Sequence, residues 1–166
     1  LLVDAMGDRR FVGRLLDVIA RGAKVRGSDG DLVAWTTPVF PALRGDAGTP
    51  LEPAPVRAEQ SNTSVVFGKR LILKLYRTLE TGVNLDLEIG RFLTEKRSFP
   101  HTPPVAGAIE YRQGRGEPRT LAVLHGFVEN EGDAWRYTRD AIADFFDRVL
   151  ARRAELGEPP PVPKTL

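Results

Sequence analysis

The segment from Val65 to Tyr76 constrains the fold of this chain more than any other part of the sequence. It contains two runs rich in β-branched and aliphatic residues, and the sequence Gly68–Arg70 between them favours a turn. We therefore predict a β-hairpin. Because side chains alternate along a strand, Lys74 should project from the same face as Ile72 and Tyr76, away from Leu71, Leu73 and Leu75.

Lys74 is the one charged residue of the second predicted strand. A buried ammonium group is costly unless an anion pairs with it. Two interpretations are open. Lys74 could be an edge lysine that reaches water and discourages strand-to-strand aggregation, or it could bind an anionic partner.

The residues after the hairpin predict a helix from the N-cap Asn84 to about Lys96. Four apolar residues recur with the spacing of one helix face, namely Leu85, Ile89, Phe92 and Leu93. Glu88 lies on that same face and Asp86 does not. We therefore expect Glu88 to face the sheet and to pair with Lys74, either as part of a nucleotide site or as a structural salt bridge.

A polar loop is predicted directly before the hairpin, from Gln60 to Ser64. Its backbone amides and hydroxyl groups could donate hydrogen bonds to phosphate oxygens. Kinases combine a phosphate-covering loop with a strand lysine and a helix carboxylate. The loop has neither a G-x-G-x-x-G sequence nor a Walker A motif, and its residues are also ordinary turn formers. Its significance comes from its place before the lysine hairpin.

Several uncommon strings resemble the maltokinase family, which includes stand-alone enzymes and forms fused to trehalose synthase. They are Glu59–Gly68 (EQSNTSVVFG), Leu71–Tyr76 (LILKLY), Leu87–Glu95 (LEIGRFLTE), Phe99–Pro104 (FPHTPP) and Gly132–Tyr137 (GDAWRY). They occur in family order over most of the chain. The resemblance implies a bilobal fold similar to protein kinases and aminoglycoside phosphotransferases. It also implies transfer of the ATP γ-phosphate to the anomeric hydroxyl of maltose, giving maltose 1-phosphate for glycogen, α-glucan and trehalose metabolism.

The resemblance also implies roles for particular residues. The phosphate loop would comprise Ser61, Asn62, Thr63 and Ser64. Lys74 would bind the phosphates, and Glu88 would be its helix partner. The interlobe hinge, whose backbone would meet adenine, would comprise Leu124, His125, Gly126 and Phe127. The implied cofactors are ATP and Mg²⁺, with the magnesium ligands expected in a C-terminal lobe.

The catalytic half of the family pattern is missing from this sequence. Such kinases carry a His-Gly-Asp-x-His-type loop and a later metal-binding Asp in the C-terminal lobe. The only histidines here are His101 and His125, and Gly-Asp follows neither. We therefore expect no catalytic and no metal-binding residue in this chain. We interpret the 166 residues as an N-terminal fragment that is inactive alone.

Composition narrows the remaining choices. The net charge is only +2 and basic residues are scattered among acidic ones, so nothing favours nucleic acid over a small anionic ligand, and no nucleic-acid partner is expected. The absence of cysteine excludes a disulfide framework and fits a cytoplasmic protein. No apolar run approaches the length of a membrane span, so no membrane partner is expected.

The predicted fold class is α+β. Residues 1–55 are interpreted as an N-terminal cap subdomain, a role that comes from the resemblance alone. Residues 56–128 would form a kinase-like N-lobe with a mainly antiparallel sheet of about five strands and flanking helices. Residues 129–166 would form a helix after the hinge, N-capped by Asp133, and a truncated linker.

Both terminal regions are predicted to contain amphipathic helices. The first has Phe11, Leu15, Val18 and Ile19 on one face, and Asp8 near its start. The last has an apolar stripe of Ile142, Phe145, Phe146, Val149 and Leu150. We expect this stripe to pack on the missing lobe, and so to be exposed, exchanged or dimerised in this chain.

Two other functions remain open at this stage. The chain could be a non-catalytic interaction module that docks trehalose synthase or another partner, with a purely structural lysine–glutamate pair. It could also belong to an aminoglycoside-phosphotransferase-like kinase with a different acceptor. The sequence that follows Leu166 in the gene would discriminate these, through the presence or absence of the catalytic loop.

Overall fold

The computed structural model describes residues 4–56 and 62–156, with the side chains of 154–156 left out. The chain divides into two compact units, Leu1–Val128 and Glu129–Leu166. In chain order the helices and strands are α1 (Arg9–Ala20), β1 (Lys24–Arg26), β2 (Asp31–Thr36), α2 (Phe40–Arg44), β3 (Pro53–Pro55), β4 (Asn62–Phe67), β5 (Leu71–Tyr76), α3 (Leu85–Phe92), β6 (Val105–Arg112), β7 (Arg119–Gly126) and α4 (Ala134–Leu156). The fold class is α+β, as predicted.

The first unit is built on one seven-stranded sheet in the order β1-β2-β6-β7-β5-β4-β3, with every adjacent pair antiparallel. The prediction of about five strands omitted β1 and β2, which had been assigned to the cap. These two strands continue the sheet through β6. Residues 1–55 therefore contribute strands to both ends of the same sheet that carries Lys74.

The predicted hairpin is confirmed. β4 and β5 pair in register from Asn62 opposite Tyr76 to Phe67 opposite Leu71. Gly68 and Lys69 both have positive φ, 52° and 53°, which is the backbone of a primed hairpin turn that matches the twist of the strands.

One sheet face carries the main core. Leu71 and Leu73 are fully buried there, as are Val65 and Phe67 of the partner strand. Helix α1 covers this face with the buried residues Val12, Leu16 and Ile19. The predicted helix face is confirmed for Ile19, which is buried, and for Leu15 and Val18, which pack against the core, but Phe11 is 41% exposed. Asp8 accepts hydrogen bonds from the first turn and is the N-cap.

The opposite sheet face carries Lys74 and is covered by α3. Leu87 of the helix is 2% exposed and packs with Val105, Ala108 and Val123 of the sheet. The helix is followed by a π-helical turn, Leu93–Arg97. The first unit therefore has three layers, with the sheet between α1 and α3.

The second unit contains α4, whose predicted N-cap is confirmed because Asp133 Oδ1 accepts a hydrogen bond from the backbone amide of Arg136 at 2.8 Å. The described side chains of this helix are all exposed. They include the predicted apolar stripe, in which Phe145 and Phe146 are each 56% exposed. Across residues 4–56 and 62–156, no helix has the length and hydrophobicity that crossing a bilayer requires.

Candidate functional site

Lys74 lies near the middle of the sheet rather than at an edge. β5 is bordered by β4 and β7, and Lys74 stands opposite Ser64 on one side and Val123 on the other. Cross-strand partners share a face, so Lys74 and the buried Ser64 project toward α3. The edge-lysine interpretation is therefore wrong.

The carboxylate that meets Lys74 is Asp86, and the predicted pairing with Glu88 is wrong. Lys74 Nζ lies 3.1 Å from Asp86 Oδ2, which is both a hydrogen bond and a salt bridge. Glu88 is exposed. The helix is rotated from the predicted phase, since Leu85 and Ile89 face solvent at 68% and 55% exposure while Leu87 is buried.

Two local interactions explain this rotation. Asn84 caps the helix through its side chain, and its backbone amide donates to Thr120 Oγ1 on β7, which fixes the start of α3 against the sheet. At Gly90 the helix comes so close that a β-carbon would lie 2.8 Å from Val105 Cγ2. Gly90 follows Asp86 by four residues, so the two lie on the same face of the helix. A glycine within the helix was the feature of the sequence that could have identified the face that meets the sheet.

Three side chains converge on Asp86 Oδ2, two of them as hydrogen-bond donors. Besides Lys74, the hydroxyl of Tyr76 donates to it at 3.0 Å. His125 Nε2 lies 3.6 Å from the same oxygen, which is long for a hydrogen bond and short enough for an ion pair. We call Lys74, Tyr76, Asp86 and His125 the Asp86 cluster. It joins β5, β7 and α3.

Contacts within the cluster strongly shift the pKa values of two of its members, Asp86 and Tyr76. The contact with His125, which carries a charge only when its imidazole is protonated, is the largest cause that lowers the pKa of Asp86 well below its ordinary value. The charge of Lys74 lowers it further, and burial opposes the shift. Burial, then the negative charge of Asp86 and the hydrogen bond to it, raise the pKa of Tyr76 far above its ordinary value. Asp86 is therefore the anion of the cluster, and Tyr76 is a neutral donor.

His125 is the most enclosed ionisable member. Its side chain is 6% exposed, against 34% for Lys74 and 40% for Asp86. Neither ring nitrogen has a hydrogen-bond partner within the part of the chain that the structure describes. Sequence reasoning had assigned His125 a backbone role in the hinge and missed its side chain.

Three of the four residues predicted to form the phosphate loop lie in a strand. Ser61 lies outside the described residues. Asn62, Thr63 and Ser64 belong to β4 and pair with β5, so their prediction as loop residues is wrong. Thr63 Oγ1 accepts two hydrogen bonds from Arg77, at 3.1 and 3.0 Å. The strand begins earlier because it matches the full length of β5.

The predicted hinge forms the end of β7. Leu124, His125 and Gly126 are buried strand residues, and Phe127 follows them. The amide of Gly126 donates to Pro104 O at 2.8 Å, and that of Phe127 donates to Arg70 O at 2.9 Å. These two donors are thus engaged within the fold.

A cleft of about 540 Å³ opens beside the Asp86 cluster. Its walls are Tyr76, the loop from Arg77 to Asn84, Leu85 and Thr120. A ligand in this cleft could therefore approach the Tyr76 side of the cluster. No group of three or more His, Cys, Asp or Glu side chains suited to a metal ion occurs in residues 4–56 and 62–156.

The chain matches no known protein-family model. The arrangement of the Asp86 cluster therefore carries the functional argument. Its chemistry is that of a partly exposed ammonium group, held by a carboxylate whose charge a buried imidazole and a phenol also stabilise. Such an arrangement can offer a positive charge to an anionic ligand.

Proposed function

We propose that this chain is the nucleotide-binding N-terminal portion of a maltokinase-like sugar kinase. The observation that carries the proposal is the position of Lys74, on an inner strand and 3.1 Å from a carboxylate on the adjacent helix. Kinases use a strand lysine oriented by a helix carboxylate to hold the α- and β-phosphates of ATP. The family itself comes from the sequence strings.

In this proposal, Lys74 is the phosphate-binding group and Asp86 takes the role that the sequence had suggested for Glu88. The side chain of Lys74 is 34% exposed, so its ammonium group can reach a ligand. The salt bridge with Asp86 limits the rotamers that this side chain adopts. Ser64, opposite Lys74, lies on the same face. ATP, when bound, would supply the transferable phosphoryl group.

The predicted hinge keeps a narrower role in the proposal. Because the amides of Gly126 and Phe127 donate within the fold, adenine would have to use carbonyl groups of this segment or backbone beyond it. Leu124 and His125 would shape the sheet side of the site. Mg²⁺ ligands are expected in a C-terminal lobe, together with the maltose site.

Two experiments test the kinase proposal. The gene sequence after Leu166 should encode a His-Gly-Asp-x-His string and a later metal-binding Asp, and their absence would reject it. In the protein that includes those residues, Lys74→Ala should lower turnover with maltose by roughly three orders of magnitude or more while the protein stays folded. Near-normal turnover in that variant would reject the role of Lys74. Phosphorylation of another acceptor but not of maltose would identify a related kinase.

A second candidate function is a docking module for trehalose synthase or a similar partner. The exposed apolar face of α3 favours it, because Leu85, Ile89 and Phe92 are 68%, 55% and 49% exposed. The apolar stripe of α4 is also exposed. Apolar patches of this kind often mark interaction surfaces.

A binding assay with trehalose synthase separates the two candidates. A docking module should bind it with an affinity that Ile89→Asp weakens at least about tenfold and Lys74→Ala leaves unchanged. Absence of binding would reject trehalose synthase as the docked partner.

A further inference from the structure

The proposed nucleotide site does not explain why the imidazole of His125 is buried beside Asp86. Its imidazole is buried between β7 and α3, with Nε2 3.6 Å from the oxygen that also holds Lys74. Both ring nitrogens lack a hydrogen-bond partner among residues 4–56 and 62–156. A buried polar side chain without a partner is costly, and such exceptions often have a functional reason.

The surroundings of His125 contain few other ionisable groups. Asp86 approaches it from α3, and Lys74 and Tyr76 of β5 reach the same carboxylate. At Gly90 of α3, a β-carbon would lie 3.8 Å from His125 Cε1. The cross-strand partners of His125 are the apolar Ile72 of β5 and Val105 of β6. Whether His125 carries a proton therefore depends mainly on how far Lys74 balances the negative charge of Asp86.

An anionic ligand at Lys74 changes that neutralisation. Its phosphate oxygens compete with Asp86 Oδ2 for the ammonium group and bring negative charge to the cluster. Tyr76 cannot replace the missing positive charge, because its hydroxyl is a neutral donor. His125 can, by taking a proton on the imidazole and pairing with Asp86.

We propose that His125 is a positioning residue that compensates Asp86 when Lys74 turns to a phosphate, so that ligand binding is accompanied by proton uptake at His125. The inference rests on the proposed nucleotide site and adds a regulation to it. By linkage, a ligand whose bound state takes up a proton binds more tightly as the pH falls. The site would therefore favour nucleotide at mildly acidic pH.

Calorimetric titration with Mg·ATP between pH 6 and pH 8 tests this coupling. We expect the affinity of the wild type for Mg·ATP to rise as the pH falls from 8 to 6. This rise should be at least about threefold larger than the corresponding change in His125→Gln. Protonation of ATP itself is common to both proteins and cancels in this ratio. Gln is chosen because its amide nitrogen can occupy the position of Nε2 without titrating.

Two results of this titration would overturn the inference. Lys74-dependent binding with the same pH dependence in wild type and His125→Gln would overturn it while leaving the nucleotide site standing. No binding at any pH would overturn both.

Discussion

Helix α3 meets the sheet at Gly90, where a β-carbon would lie 2.8 Å from Cγ2 of the fully buried Val105. This close approach sets the rotation of the helix and brings Asp86, one turn earlier, to Lys74. The contact is therefore a structural condition for the candidate site. It also explains why Leu85, Ile89 and Phe92 of α3 lie on the solvent side.

Substitution of Gly90 by Ala tests this relationship. The added methyl group forces Val105 or the helix to move, which should destabilise the fold by about 1–2 kcal/mol after the gain in helix propensity. Gly13→Ala is the matched control, because a β-carbon there has no neighbour within 4 Å. That variant should be as stable as wild type or gain up to about 1 kcal/mol. Urea unfolding measures both, and equal stability of the two variants would contradict the packing role of Gly90.

The two acidic residues in the first turn of α3 should respond differently to neutralisation. Asp86→Asn removes the anion beside Lys74 and should cost about 1 kcal/mol, a modest value because both side chains are partly exposed to water. Glu88→Gln changes an exposed residue and should stay within about 0.5 kcal/mol of wild type. Thermal unfolding at neutral pH measures the difference. A larger effect for Glu88→Gln would restore the pairing that the sequence predicted.

Acid should destabilise the wild type more than Asp86→Asn. The folded pKa of Asp86 lies below its ordinary value of 3.8, so its contribution is fully present above about pH 4 and is lost as the pH falls toward the folded pKa. Asparagine does not titrate and lacks this contribution throughout. Urea unfolding at pH 5 and pH 3 should show a smaller loss for the variant. An identical loss in both proteins would contradict the lowered pKa.

Tyr76 should ionise late in an alkaline titration. Burial, then the negative charge of Asp86 and the hydrogen bond to it, raises the pKa of Tyr76 far above the ordinary value of a tyrosine. Absorbance at phenolate wavelengths should therefore show a late component that Tyr76→Phe removes. Removal of an early component instead would mean that the phenol does not donate to Asp86.

Much of the fold could be predicted from local patterns. Alternating apolar residues placed the hairpin correctly, and the caps at Asn84 and Asp133 placed two helix starts. The joining of β2 to β6 could not be predicted, because it pairs residues far apart in the chain, such as Asp31 with Arg112. No local propensity specifies such a contact.

The candidate site was predicted less completely, and the reason lies in α3. Helix periodicity identifies an apolar face, but it does not say whether that face meets this sheet or another surface. The prediction that Lys74 points toward the helix is confirmed. The prediction of which helix face meets Lys74 is wrong. A three-dimensional contact at Gly90 decides between Asp86 and Glu88.

Binding of Mg·ATP to the 166-residue chain tests the role of Lys74 most directly. Calorimetry should give a dissociation constant of roughly 10 μM to 1 mM, weakened at least about tenfold by Lys74→Ala. Lys24→Ala is the matched control, because Lys24 is also a strand lysine in a salt bridge, 2.8 Å from Asp31, at the far end of the sheet. Its affinity should stay within about twofold of wild type. Equal affinities in all three proteins, or no binding by the wild type at millimolar ATP, would contradict the assignment of Lys74 as a phosphate-binding residue.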